Sequence, residues 1–332
     1  KNSALALAEG DFNHDGKDDV IVSSRYLGGP ILTAWLGNGA QRLQRRVTPV
    51  NDSYEYLVSG DFNNDGKLDA FFLTLFPEQY GVLFGNGDGT FQESLPQTLS
   101  GASQPVVGDF NGDGALDVAL LAYRGQPIYI LLGKGDGTFA EPLILPEAQE
   151  AFSLTLADFN QDGNLDLATG GRDPNDLLIY EGNGDGTFRT PIVTPVKSEF
   201  FILKSADLNG DGIPDLVGAS TDLCVLIGKG DGTFLPPVEY PYAPSYYMLL
   251  ADFNHDGKPD LAIGEDIHAG AFVKLLFNNG DGTFVADDEN YFAGNEGAVV
   301  GDFNQDGFPD IAALNYLGYS VNPLQLLLNT GK

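Results

Sequence analysis

The chain has 332 residues, with 17 Lys and Arg against 47 Asp and Glu, for a formal net charge of −30. That balance excludes a nucleic-acid-binding surface, which needs a basic face, and docking on an anionic membrane. The apolar content, 42% with 11% aromatics, excludes a disordered chain.

The first element is a short apolar run from Ser3, followed by Asp11-Phe-Asn-His-Asp-Gly-Lys-Asp-Asp19. Side-chain oxygens stand at positions one, three, five and nine of this loop: Asp11, Asn13, Asp15 and Asp19. Gly16 at position six permits a sharp turn, and Lys17 at position seven offers its main-chain carbonyl. This is the spacing of a calcium loop, because a hard divalent cation gathers oxygens and a tight turn can supply most of them.

The loop recurs along the chain. Its donors are Asp61, Asn63, Asp65, Lys67 and Asp69 in the second copy, and Asp109, Asn111, Asp113, Ala115 and Asp117 in the third. The fourth has Asp158, Asn160, Asp162, Asn164 and Asp166, and the fifth Asp207, Asn209, Asp211, Ile213 and Asp215. The sixth has Asp252, Asn254, Asp256, Lys258 and Asp260, and the seventh Asp302, Asn304, Asp306, Phe308 and Asp310. The residue at position seven is read in each case as a carbonyl donor.

Between loops the order is constant. An apolar run such as Val118-Ala-Leu-Leu121 follows each loop, and a second run such as Ile128-Tyr-Ile-Leu-Leu132 comes next. Then comes a Gly-(Asn/Lys)-Gly-Asp-Gly-Thr-Phe turn, at 85–91, 133–139, 182–188 and 228–234, with a close variant at 278–284. A polar, Pro-rich segment closes the unit. These are four short strands, the middle two apolar at consecutive positions and so buried on both faces. A four-stranded unit repeated seven times predicts an all-β fold: a seven-bladed β-propeller of antiparallel blades. The whole of 1–332 is read as one domain, with blades beginning near 3, 54, 103, 152, 201, 246 and 296.

Three departures stand out. The first blade has Gly37-Asn-Gly-Ala-Gln-Arg-Leu43 in place of the turn, and its fourth strand is the most basic segment, with Arg42, Arg45 and Arg46. The fifth loop has Leu208 for Phe. The last blade reaches Asn329-Thr-Gly-Lys332 where a fourth strand should begin, so three strands are expected there. Beginning at Lys1 rather than Met, the chain is read as a processed or trimmed form. Cys224, the single cysteine, lies in an apolar run and reads as a buried small hydrophobe.

The loops and turns together resemble FG-GAP/VCBS repeats, which build the seven-bladed head of integrin alpha subunits, a calcium-binding fungal lectin and many bacterial surface proteins. The resemblance covers essentially the whole chain. It implies the propeller and calcium, and it does not choose among functions.

Up to seven Ca²⁺ are expected in structural roles, with dissociation constants roughly in the 10⁻⁴–10⁻³ M range of extracellular modules. That implies a secreted, cell-surface or periplasmic setting. In an up-and-down blade, the loops after strands one and three share one face. The opposite face then carries the variable loops, with Arg25, Tyr26, Tyr80, Tyr123, Arg124, Arg172, Tyr242, Tyr246, His268 and Tyr316 as candidate ligand contacts. No Ser/His/Asp or Cys/His arrangement is visible, and no catalytic residue is assigned. The reading is a monomeric, non-enzymatic adhesion or binding module for a glycan or protein. A polysaccharide lyase or hydrolase, or a scaffold within a larger surface protein, is the alternative.

Overall fold

The computed structural model describes residues 3–26, 29–39, 43–122, 127–145, 151–171, 176–197, 200–242, 247–267, 270–294, 296–314 and 324–331. Seven antiparallel sheets follow one another, each ordered as a simple meander from its first strand outward. Their first strands are Ser3–Gly10, Tyr56–Gly60, Ala102–Gly108, Ala151–Ala157, Ile202–Ala206, Met248–Ala251 and Ala298–Gly301. The result is the seven-bladed propeller, and no helix occurs among the described residues.

The second strands are buried along most of their length, as their apolar runs require. Asp69–Leu75 and Asp215–Ala219 bury every residue except Leu75, which is half-buried. Fourth strands are exposed and short, which is where Pro is tolerated. In blades two and six the fourth strand is split: Phe91–Glu93 with Gln97–Thr98, and Phe284–Ala286 with Tyr291–Phe292. In blade two, Ser94 accepts from the Val82 amide through its hydroxyl, so a side chain takes over a ladder bond at the break. Among the described residues, blade seven has three strands, ending in Leu324–Leu327.

There is no single central core. Seven hydrophobic clusters lie between neighbouring blades, and each draws residues from two of them. Ile21 and Leu32 of blade one meet Phe72 and Leu83 of blade two. Val20 and Val22 meet Ala312 and Leu314 of blade seven, closing the ring. A blade buries both faces only by having a neighbour on each side, so the repeats stabilise one another as in other quasi-one-dimensional arrays.

Candidate functional site

The loops are built alike. In the first, the Asp15 amide donates to Asp11 Oδ1 and to Asn13 Oδ1, both at 2.9 Å. The Gly16 amide donates to Asp11 Oδ2 at 2.7 Å, and the Lys17 amide to Asp15 Oδ1 at 3.1 Å. The same set recurs at Asp61, Asp109, Asp158, Asp207, Asp252 and Asp302. Gly16 has φ +81°, the left-handed turn its position demands. Position four is left-handed too: His14, Asn64, Gln161, His255 and Gln305 have φ from 56° to 62°. Gly112 and Gly210 take the same place in the third and fifth loops, with φ +70° and +77°.

The side chains at positions one and three thus converge on one amide, and all donors are hard oxygens. That donor set suits Ca²⁺ better than a soft or strictly octahedral ion. Among the described residues, no group of three or more Asp, Glu, His or Cys side chains is spread into a metal cage. The oxygens close instead on the loop's own amides, as in Asx-turns. Three of the loops add something the spacing did not suggest. The ammonium groups of Lys17, Lys67 and Lys258 lie 3.1–3.4 Å from the position-five carboxylates Asp15, Asp65 and Asp256, so these side chains do more than supply a carbonyl.

Position nine differs from the other donors. Asp19, Asp69, Asp117, Asp166, Asp215, Asp260 and Asp310 are all fully buried, at 0% exposure. Asp19 Oδ2 accepts from the Phe12 and Asn13 amides, and its Oδ1 accepts from the Gly37 amide at 2.7 Å. Each of the other six likewise takes one amide at the start of its loop and one at the end of strand three, as Asp117 does with Phe110 and Gly133. The ninth carboxylate therefore pins the loop to the third strand. Burial pushes Asp19 up to about 7, against the downward pull of the Gly37 amide. The same cause raises Asp69, Asp117, Asp166 and Asp310 to about 6.

The Gly-Asp-Gly turns form as hairpin turns, with Gly87 and Gly89 at φ +76° and +79° and Asp88 Oδ1 accepting from the Thr90 amide. They also do something else. The Gly89 amide donates to the Phe12 carbonyl of the preceding blade, and Gly137, Gly186, Gly232 and Gly282 reach Phe62, Phe110, Phe159 and Leu208. The turn Phe then packs edge-on against the loop Phe: Phe91 on Phe12 at 5.5 Å, Phe139 on Phe62 at 6.2 Å, Phe188 on Phe110 at 5.7 Å and Phe234 on Phe159 at 5.9 Å. Loops and turns thus share one face and latch each of blades two to six to the one before.

The opposite face is read from the strand register, which pairs Gly10 with Asp19 at the loop end and Ser3 with Arg25 at the other. Arg25 is exposed there, and Tyr26 closes the same strand. Tyr80 is a correction. It is 3% exposed, packed between Phe71 and Phe139, and only its hydroxyl reaches the rim, donating to Gln97 Oε1 at 2.8 Å. The interblade core has claimed its ring. Tyr242 is half-buried against the cluster between blades five and six. Tyr123, Arg124, Arg172, Tyr246, His268 and Tyr316 lie outside the described residues.

Two exposed aromatics stand on this face: Phe76, in the variable stretch 76–80 that the sequence marks out after strand two, and Phe201, which the sequence reading did not single out. Phe76, on a cis Phe76–Pro77 turn between strands two and three, is 87% exposed. Phe201, 49% exposed, leads into its blade's first strand and meets Phe152 edge-on at 5.2 Å. The signal for Phe76 was its position in a non-repeated loop rich in Pro and polar residues.

The FG-GAP-like repeat pattern matches six overlapping stretches: 11–72, 61–120, 109–169, 162–218, 207–263 and 252–313. Among solved structures, a lectin of Agrocybe aegerita that recognises non-reducing terminal N-acetylglucosamine is similar. It has 19% identity and a TM-score of 0.62, with 86% of this chain and 79% of that one covered. A protein from Lactobacillus plantarum is similar at 13% identity and a TM-score of 0.63, covering 87% and 85% of the two chains. Among curated proteins, none matches the chain in sequence.

Proposed function

Since the chain belongs to the FG-GAP-like repeat family, we propose that it is a calcium-stabilised binding module. Its ligand, a glycan or a protein, docks on the face opposite the loops. The observation that carries this reading is the division of labour between the faces. Seven near-identical oxygen-rich loops occupy one face, while exposed Phe76 and Phe201 with Arg25 stand on the variable one. Flat apolar rings and a guanidinium on the same face suit the apolar faces and hydroxyls of a sugar, or a protein hot spot. The Agrocybe aegerita lectin is a precedent for glycan recognition by a chain of similar fold.

Calcium in this reading holds the platform. The position-one, -three and -five side chains and the position-seven carbonyl ligate the ion, and the ninth carboxylate keeps the loop seated against strand three. Such modules work where calcium is abundant, so the protein acts outside the cytosol, secreted, at the cell surface or in the periplasm. The test is a glycan array with and without chelator, followed by Phe76→Ala and Phe201→Ala. Calcium-dependent binding that weakens in these variants without loss of thermal stability supports the proposal. Turnover of any polysaccharide overturns it.

A further inference from the structure

The seven loops fall into two sets at position five. Oδ1 of that Asp accepts from the position-seven amide in every loop. The partner of Oδ2 differs. In the third, fourth, fifth and seventh loops it is a neutral donor. There Nδ2 of Asn111, Asn160, Asn209 and Asn304 lies 2.9–3.1 Å from Asp113, Asp162, Asp211 and Asp306. In the first, second and sixth loops the partner is the ammonium of Lys17, Lys67 or Lys258, at 3.1–3.4 Å.

In blades two and six the Gly-Asp-Gly turn of the same blade seats this lysine. A Cβ on Gly87 would stand 3.0 Å from Lys67 Cδ, and one on Gly280 would stand 2.7 Å from Lys258 Cε. The lysine stem thus lies across the first glycine of the turn. Ala115 and Ile213 lie at the same place beside Gly135 and Gly230. The side chain at position seven therefore has a fixed seat, and only a lysine brings a charge to it.

We propose that these lysines make the first, second and sixth loops a weaker class of calcium site, so that calcium fills the ring in two steps. The inference rests on the calcium reading above. An ion entering a lysine loop meets a carboxylate already paired with an ammonium. It must break that pair and then share the loop with a second positive charge. In the other four loops it displaces a neutral amide. Charge count is one of the quantities that tunes calcium affinity in loops of this kind. The pairs are partly exposed, so the step is several-fold rather than many orders of magnitude. Arg189 does not blur the division: it stands 3.9 Å from Asp162 but is held by Glu181 at 2.6 Å.

The test is a calcium titration of the full chain, read loop by loop through millisecond hydrogen exchange. Half-protection of 61–69 should need about threefold more calcium, or more, than half-protection of 109–117. Lys67→Met keeps the stem and removes the charge. It should bring 61–69 to the midpoint of 109–117 and leave 109–117 unmoved. Lys67→Arg should keep most of the gap, and added salt should narrow it in the parent. Coincident midpoints in the parent, or a Lys67→Met variant that titrates as the parent does, overturn the proposal and leave the calcium reading standing. Calcium without effect on any loop overturns both.

Discussion

The Asp18 carboxylate accepts a hydrogen bond at 2.7 Å from the amide of Asp302, across the junction of the first and last blades. At the equivalent place in three other junctions, an apolar side chain fills the gap: Leu68 closes on Gly10, Leu116 on Gly60 and Leu165 on Gly108. The closing junction thus uses a charged acceptor where these three junctions use a leucine. Asp18→Ala should cost about 1.5–3 kcal/mol, the usual range for a hydrogen bond to a charged group. Asp18→Asn, which keeps an acceptor oxygen, should cost less. Chemical denaturation measures both, and equal stability of Asp18→Ala and the parent would remove the role assigned to this contact.

The pin and the donors separate experimentally. Asp117→Ala leaves the Phe110 and Gly133 amides without their acceptor in a buried setting. It should lower stability by roughly 2–5 kcal/mol with or without calcium. Asp113→Ala removes an exposed carboxylate, and its effect should show only when calcium is present. Melting curves in calcium and in chelator decide this. Identical behaviour of the two variants would mean that position nine is an ordinary ligand.

Chelator should lower the melting temperature of the parent, and restored calcium should return it, because an ion that binds only the native loops stabilises by mass action. An unchanged melt in EDTA would mean that the amide-closed loops need no ion.

The latch carries weight at the junctions that have it. Phe139 meets Phe62, Phe71 and Tyr80 within the cluster between blades two and three. Phe139→Ala should cost about 3–5 kcal/mol, as truncation of a buried aromatic does. A loss under 1 kcal/mol by denaturant titration would show that the turn is ornamental there.

Cys224 gives a pH test. Burial pushes its thiol up to about 12. Because the folded pKa is raised, the native state holds this proton at pH values where the unfolded chain has lost it. The group therefore weakens folding as pH rises through about 9 to 12. Alkylation of native protein at pH 8 should be slow and should accelerate on chelation, if chelation opens the blades. Rapid labelling of the calcium-loaded protein would contradict the buried placement.

Much of this molecule was legible in the sequence because its information is periodic and local. Turn glycines, apolar runs and oxygen spacing recur in every repeat. They determined the blade count, the meander, the loop conformation and the three strands of blade seven. What lay beyond the sequence concerns pairs of blades. No property of Asp19 alone distinguishes a metal ligand from a pin: its partners, Phe12 and Gly37, are brought to it by the fold. Tyr80 reads as a surface aromatic until blade three supplies Phe139 to cover it. A blade is half a core, and which side chains are free to bind is decided when its neighbour covers the other half.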